Sequence, residues 1–113
     1  MAIDKEERRH KRYRYVAEVS GGLPGGGMVL LGHVTDISLG GCRIRLEALA
    51  DFETGSTVEV CVKSGWVAFR ALGTVRRQAD DEYMVGISYL QISERGRLEL
   101  EELVAGLAAI KEL

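Results

Sequence analysis

The sequence predicts a mainly β fold, a six-stranded antiparallel β-barrel followed by a C-terminal α-helix. Six short segments alternate apolar and polar residues, which is the pattern of half-buried strands. Fourteen glycines beside a single proline indicate many turns. After residue 92 the apolar residues change to helical spacing. Six short strands joined by close turns favour closure into a small barrel, because closure leaves no strand unpaired on either side.

The strands are predicted in chain order from this alternation. In the first strand the odd-numbered residues from Tyr13 to Val19 face one way. Residues 21–27 form a glycine-rich loop, and the second strand is so continuously apolar that we expect it to be buried. Gly73 indicates a bulge or bend in the fifth strand. The six predicted strands are residues 12–20, 28–35, 42–46, 57–63, 67–77 and 83–89.

The helix is predicted over residues 93–112. Ser93 can cap its N-terminus, and Glu94 complements the helix dipole in the first turn. Apolar residues then recur at helical spacing, at Leu100, Leu103, Val104, Leu107 and Ala108. Gly96 and Gly106 each weaken a helix by about 1 kcal/mol relative to alanine. We therefore expect the helix to depend on packing against the sheet.

The sequence predicts a single domain located in the cytoplasm. The chain of 113 residues has the length of a single domain, with an arm at 1–11, a barrel at 12–90 and a helix at 93–112. It contains no apolar run of about 18 residues and begins without the apolar segment of a signal peptide, so no membrane insertion is expected. Cys42 and Cys61 lack a CxxC motif or a histidine pair, which predicts reduced thiols and no zinc site.

The basic charge is concentrated near the N-terminus. Five cations lie within seven residues, at Arg8, Arg9, Lys11, Arg12 and Arg14, while the whole chain has a net charge of −2. The remaining residues therefore carry a net charge of −7, which disfavours a nucleic-acid polymer as the partner. Residues 1–11 have no apolar period and are predicted to form a flexible arm. Such an arm can be a solvated terminus or can bind a local anion.

Enzyme motifs are absent from the sequence. It contains no HExxH, no P-loop and no supported Ser/His/Asp arrangement, so we do not expect catalysis or a cofactor. His10 lies among arginines and is predicted to be a surface residue. His33 lies in the apolar second strand and is predicted to be a core residue. The acidic residues 80–82 are expected to form a solvated hairpin turn.

The first segment with suitable chemistry for a ligand is an RxxxR pattern. Arg8 and Arg12 form it, with Arg9 and Lys11 between them. Guanidinium groups bind phosphate oxygens in a forked geometry and match the O6/N7 edge of guanine. The pattern is common by chance when it stands alone.

The second segment is a DxSxxG pattern formed by Asp36, Ser38 and Gly41. A carboxylate can accept hydrogen bonds from N1–H and N2–H of guanine, and a serine hydroxyl can bind a phosphate or a backbone group. Glycine at position 41 permits a positive φ and a close approach of a ligand to the backbone. Taken alone, the segment also suits a plain strand–turn–strand corner.

Together the two patterns resemble the PilZ family of bacterial cyclic di-GMP receptors. The resemblance rests on "ERRHKRY", "VTDISLGGCRI" and "YMVGISYLQISERGRLELEELV", and covers nearly the whole chain. It implies a six-stranded antiparallel barrel with a C-terminal helix. It also implies that the arm wraps cyclic di-GMP, that Arg8 and Arg12 contact guanine and phosphates, and that Asp36 and Ser38 hold a guanine. Arg9 and Gly41 complete the implied ligand-binding set.

The sequence predicts a non-catalytic receptor that signals to a downstream protein, and two other functions are alternatives to it. One is a PilZ-like module that binds a protein and no nucleotide, which the intact motif positions disfavour. The other is a small barrel that binds single-stranded nucleic acid. The net negative charge of the residues outside the basic cluster disfavours that function. The sequence leaves the number of bound ligands, the oligomeric state and the downstream partner open.

Overall fold

A computed structural model of the chain describes residues 10–48, 53–65, 67–77 and 80–112. Within them six strands form one closed antiparallel barrel in the order β1-β2-β3-β6-β5-β4. The strands are β1 (Tyr13–Gly22), β2 (Met28–Ile37), β3 (Gly41–Leu46), β4 (Thr57–Ser64), β5 (Val67–Arg77) and β6 (Met84–Ile92). The predicted fold class is confirmed. β4 pairs with β5 and β1, so β3 and β4 are consecutive in the chain without being neighbours in the barrel.

The glycine-rich loop is shorter than the sequence predicts. Gly21 and Gly22 continue β1, where Gly21 pairs with both Leu30 and Val60. A Cβ at Gly21 would lie 2.3 Å from a backbone oxygen of β4, so glycine is required there for a close strand approach. The positive φ angles are found further along, at residues 25–27.

The core is formed by the inward side chains of all six strands. Alternation along β1 buries Ala17 and Val19, as predicted. In β2, Val34 and Ile37 are buried whereas Leu31 and His33 are exposed. The prediction of a core histidine and a wholly buried second strand is therefore wrong. The strand has only one core-facing side, and His33 lies on the other, opposite Glu18 of β1.

The helix α1 (Glu94–Glu112) begins where it was predicted. The Ser93 hydroxyl accepts a hydrogen bond from the Gly96 amide at 3.0 Å, which caps the first turn. Leu100 is fully buried, and the helix packs mainly on β5. A Cβ at Gly96 would lie within 3.4 Å of Phe69, so this glycine permits the close packing that offsets its low helix propensity.

The predicted irregularities of the last hairpin are also present. The pairing of β5 with β6 shifts register between Leu72 and Gly73, which confirms a bulge at the glycine. In the turn that follows, the Asp81 carboxylate accepts a hydrogen bond from the Tyr83 amide at 2.9 Å and forms an ion pair with Arg45 at 3.3 Å. Residues 81–83 therefore form a solvated hairpin turn whose carboxylate also supports β3.

Candidate functional site

The turn between β2 and β3 is held together by Ser38. Its hydroxyl accepts hydrogen bonds from the amides of Gly40 and Gly41 at 3.1 and 3.2 Å and donates to the Gly41 carbonyl at 3.3 Å. The Ser38 amide donates to the same carbonyl at 2.9 Å. The hydroxyl thus uses its hydrogen and both lone pairs within the turn, and the residue is buried. With this hydrogen bonding Ser38 stabilises the turn, and its hydroxyl has no donor or acceptor position free for a ligand.

Gly41 does not use the positive φ that glycine permits. Its φ is not positive, since the described glycines with positive φ are Gly25, Gly26, Gly27, Gly55 and Gly65. A Cβ at position 41 would instead lie 2.1 Å from the carbonyl oxygen of Ile87. Gly41 therefore allows β3 to approach β6, and the expectation of a positive φ is wrong.

Asp36 lies at the end of β2 and meets the second arginine of the RxxxR pattern. Tyr13 pairs with Ile37, and this register brings the preceding Arg12 beside the carboxylate. Nη1 of Arg12 lies 3.2 Å from Oδ1 of Asp36, and Nη1 of Arg43 lies 3.8 Å from Oδ2. The two sequence patterns therefore come together through one ion pair.

The described end of the arm also contacts the turn. A Cβ at Gly40 would lie 2.7 Å from Cδ2 of His10, so the imidazole covers the turn and is half-buried. Arg8 and Arg9 lie outside the described residues. Only Arg12 of the three predicted binding arginines is thus placed by the structure.

A groove of about 420 Å³ runs over the outer face of the barrel beside Asp36. Its polar lining includes Arg12, Arg14, Asp36, Arg43 and Arg45. Four guanidinium groups and a single lining carboxylate make this groove strongly positive, which suits an anion. The prediction omitted Arg14, Arg43 and Arg45. The alternation of Arg43 and Arg45 with buried residues in β3 was the available signal, because it places both on the outer face.

The thiols have different environments. Cys42 is buried, and burial raises the pKa of its thiol from 9.0 to about 12. It is therefore a neutral packing residue at physiological pH. Cys61 is partly exposed and lies with Arg70 on the β4–β5 face, in grooves on the opposite side of the barrel from Asp36. The described residues contain no group of three or more His, Cys, Asp or Glu that could hold a metal ion.

These features define the class of protein as a small closed barrel with a helix at its C-terminal end and a basic groove beside the β2–β3 turn. The PilZ domain family model matches residues 6–106. The chain therefore belongs to the PilZ domain family. In the parts of the chain that the structure covers, no helix is both long and apolar enough to cross a membrane.

Two solved structures have a similar fold. The structure of the PilZ domain with c-di-GMP of YcgR from Escherichia coli matches with a TM-score of 0.69 and 19% identity, over 92% of this chain and 93% of that chain. The structure of the Bacillus subtilis inhibitor of motility, MotI/DgrA, has the same TM-score at 16% identity and 85% coverage of this chain. This chain spans 48% of that protein's length. No curated protein matches the sequence.

Proposed function

We propose that this chain is a non-catalytic receptor for the bacterial second messenger cyclic di-GMP. The observation that carries the proposal is the Arg12–Asp36 ion pair at the edge of an arginine-lined groove. The ion pair brings together one residue of the RxxxR pattern and one of the DxSxxG pattern. The groove beside it offers guanidinium groups for an anion and a carboxylate for a hydrogen-bond donor. Membership of the PilZ family and the cyclic di-GMP in the YcgR structure support the same ligand.

The proposed roles follow from the chemistry of each group. The Asp36 carboxylate accepts hydrogen bonds from N1–H and N2–H of a guanine, and Arg12 moves from it to a phosphate or a guanine edge. Arg8 acts with Arg12, and Arg9 is a further candidate contact to the ligand. Ser38 and Gly41 contribute by fixing the turn that supports Asp36.

The proposed signal is a change in the arm. Residues 8–14 include five cations that repel one another, and two phosphates would neutralise part of that repulsion. Binding then fixes residues 1–11 against the barrel beside Asp36, at a cost in chain entropy that the charge pairs offset. Arm, ligand and barrel together form a surface that a downstream protein can recognise. The barrel itself does not need to change shape.

Hydrogen exchange with and without cyclic di-GMP tests this mechanism. We expect ligand-dependent protection mainly in residues 6–12, a smaller gain in residues 36–42, and little change in α1. Residues 13–14, 36–37 and 41–42 belong to paired strands, so their exchange should respond less than that of residues 6–12. Protection of the arm before ligand is added, or an unprotected arm at saturation, would contradict the ordering mechanism while leaving the ligand assignment intact.

Asp36→Ala tests the guanine contact. We expect weaker cyclic di-GMP binding and poorer discrimination against adenine analogues, which lack the N2 donor. The carboxylate pairs with arginine side chains and is partly exposed, so its loss should cost stability only about 1 kcal/mol or less. Calorimetric titration and thermal melting of the same variant separate the two effects. A large loss of melting temperature with unchanged affinity in the folded fraction would identify Asp36 as a structural residue instead.

The wild-type titration also separates the candidate functions. Cyclic di-GMP should bind, whereas GTP and a short oligonucleotide should bind much more weakly. Its stoichiometry reports whether one ligand or two occupy the site. Absence of cyclic di-GMP binding by the folded chain would favour the protein-interaction module.

A further inference from the structure

Two arginines outside both sequence patterns flank Asp36 on the outer face of the barrel. Arg14 of β1 is the cross-strand partner of Asp36, and Arg43 of β3 is its partner on the other side. Directly opposed residues in antiparallel strands lie about 4.5–5.5 Å apart at Cα. The three side chains therefore form a short row, arginine–aspartate–arginine, along the groove.

The hydrogen-bonding capacity of this row is incompletely used. Nε of Arg43 is buried without a hydrogen-bond partner among the described residues, and its Nη1 reaches Asp36 only at 3.8 Å. Arg14 is exposed and forms no ion pair with a described residue. The Arg43 side chain is nevertheless 39% exposed. The terminal guanidinium nitrogens of Arg14 and Arg43, rather than the buried Nε, can therefore bind an oxygen acceptor that enters the groove.

The charges in the groove also exceed what its own carboxylate balances. Asp36 faces Arg12, Arg14 and Arg43, while Arg45 is paired with Asp81 outside the groove lining. When a guanine takes hydrogen-bonding positions on the Asp36 carboxylate, the arginines that contact its oxygens lose those contacts. Phosphate oxygens of the same ligand can replace them.

We propose that Arg14 and Arg43 bind the phosphate groups of the ligand from the outer face of the barrel. This inference rests on the proposed function, since it names further residues of the same site. The two strand arginines then form part of the surface on which the ligand lies. Because both lie on paired strands next to Asp36, their backbones are held in position before the ligand arrives.

The test compares Arg14→Gln, Arg43→Gln and the double variant with wild type, by calorimetric titration of cyclic di-GMP at low and moderate salt. A charge-assisted hydrogen bond corresponds to roughly 10-fold to 150-fold in affinity. We expect a loss of about 10-fold or more for each single variant and a weaker salt dependence. Arg70→Gln on the opposite face removes the same charge and should bind like wild type. Thermal melting confirms that each variant is folded.

A purely structural role of Arg43 makes a different prediction. If Arg43 only positions the Asp36 carboxylate, Arg43→Gln should cause no further loss in an Asp36→Ala background and should leave the salt dependence unchanged. The proposed phosphate contact requires a further loss in that background. Variants that bind like wild type would overturn this inference alone, whereas a folded wild-type chain that does not bind cyclic di-GMP would overturn the proposed function as well.

Discussion

Replacing Gly41 with alanine is expected to destabilise the barrel by about 3 kcal/mol or more and to lower the melting temperature by about 10 °C or more. The added Cβ would lie 2.1 Å from the Ile87 carbonyl oxygen, so the pairing of Gly41 with Ser88 would have to open. Because the added Cβ clashes with a backbone atom of a neighbouring strand, rotation of a side chain cannot relieve the clash. Thermal or urea unfolding measures the effect.

Gly106→Ala is the matched control for this variant. A Cβ at Gly106 has no neighbour within 4 Å, and alanine is favoured over glycine in a helix by about 1 kcal/mol. The control should therefore be slightly more stable than wild type. If Gly41→Ala unfolds like wild type, close strand approach is not the reason for glycine at that position.

The double variant Arg8→Ala, Arg12→Ala should have the largest effect on ligand binding. Each arginine is proposed to make a hydrogen bond between charged groups, worth about 1.5–3 kcal/mol, so the double variant should lose about 100-fold or more in affinity for cyclic di-GMP. Stability should change little, because the Arg12–Asp36 ion pair is partly exposed and contributes about 1 kcal/mol or less. Calorimetric titration measures the affinity.

The double variant Arg95→Ala, Arg97→Ala is the charge-matched control for the Arg8/Arg12 double variant. Both arginines are exposed on α1, away from the groove, and their removal changes the net charge by the same amount. This comparison should retain wild-type affinity. Wild-type affinity in the Arg8/Arg12 variant would show that the RxxxR pattern does not bind the ligand.

The fold could be predicted from the sequence because it depends on local patterns. Alternation in β1, β3 and β4 fixes which side chains face the core, and the capping serine at position 93 marks the start of α1. His33 was placed wrongly because a nearly continuous apolar run hides a one-sided strand. In such a run the alternation that identifies the outer face is missing, and only the pairing partners reveal it.

The candidate site could be predicted only in part. Asp36 and Arg12 were identified by type and spacing, but their ion pair depends on the β1–β2 register. The groove arginines Arg14 and Arg43 adjoin Asp36 through strand pairing, which sequence separation does not reveal. The sequence predicts Gly41 as part of the ligand-binding set, but the close approach that requires glycine there involves Ile87 of β6, far along the chain.

The closed barrel also limits how another protein can recognise this domain. In the described part of the chain each of the six strands has a hydrogen-bonded neighbour on both sides. A partner therefore finds no full-length free edge to extend with a strand of its own, which is how many domains capture extended peptides. Side chains and, in the proposed complex, the ligand itself are then the main means of recognition. Specificity for the bound form can then depend on which groups the ligand leaves exposed.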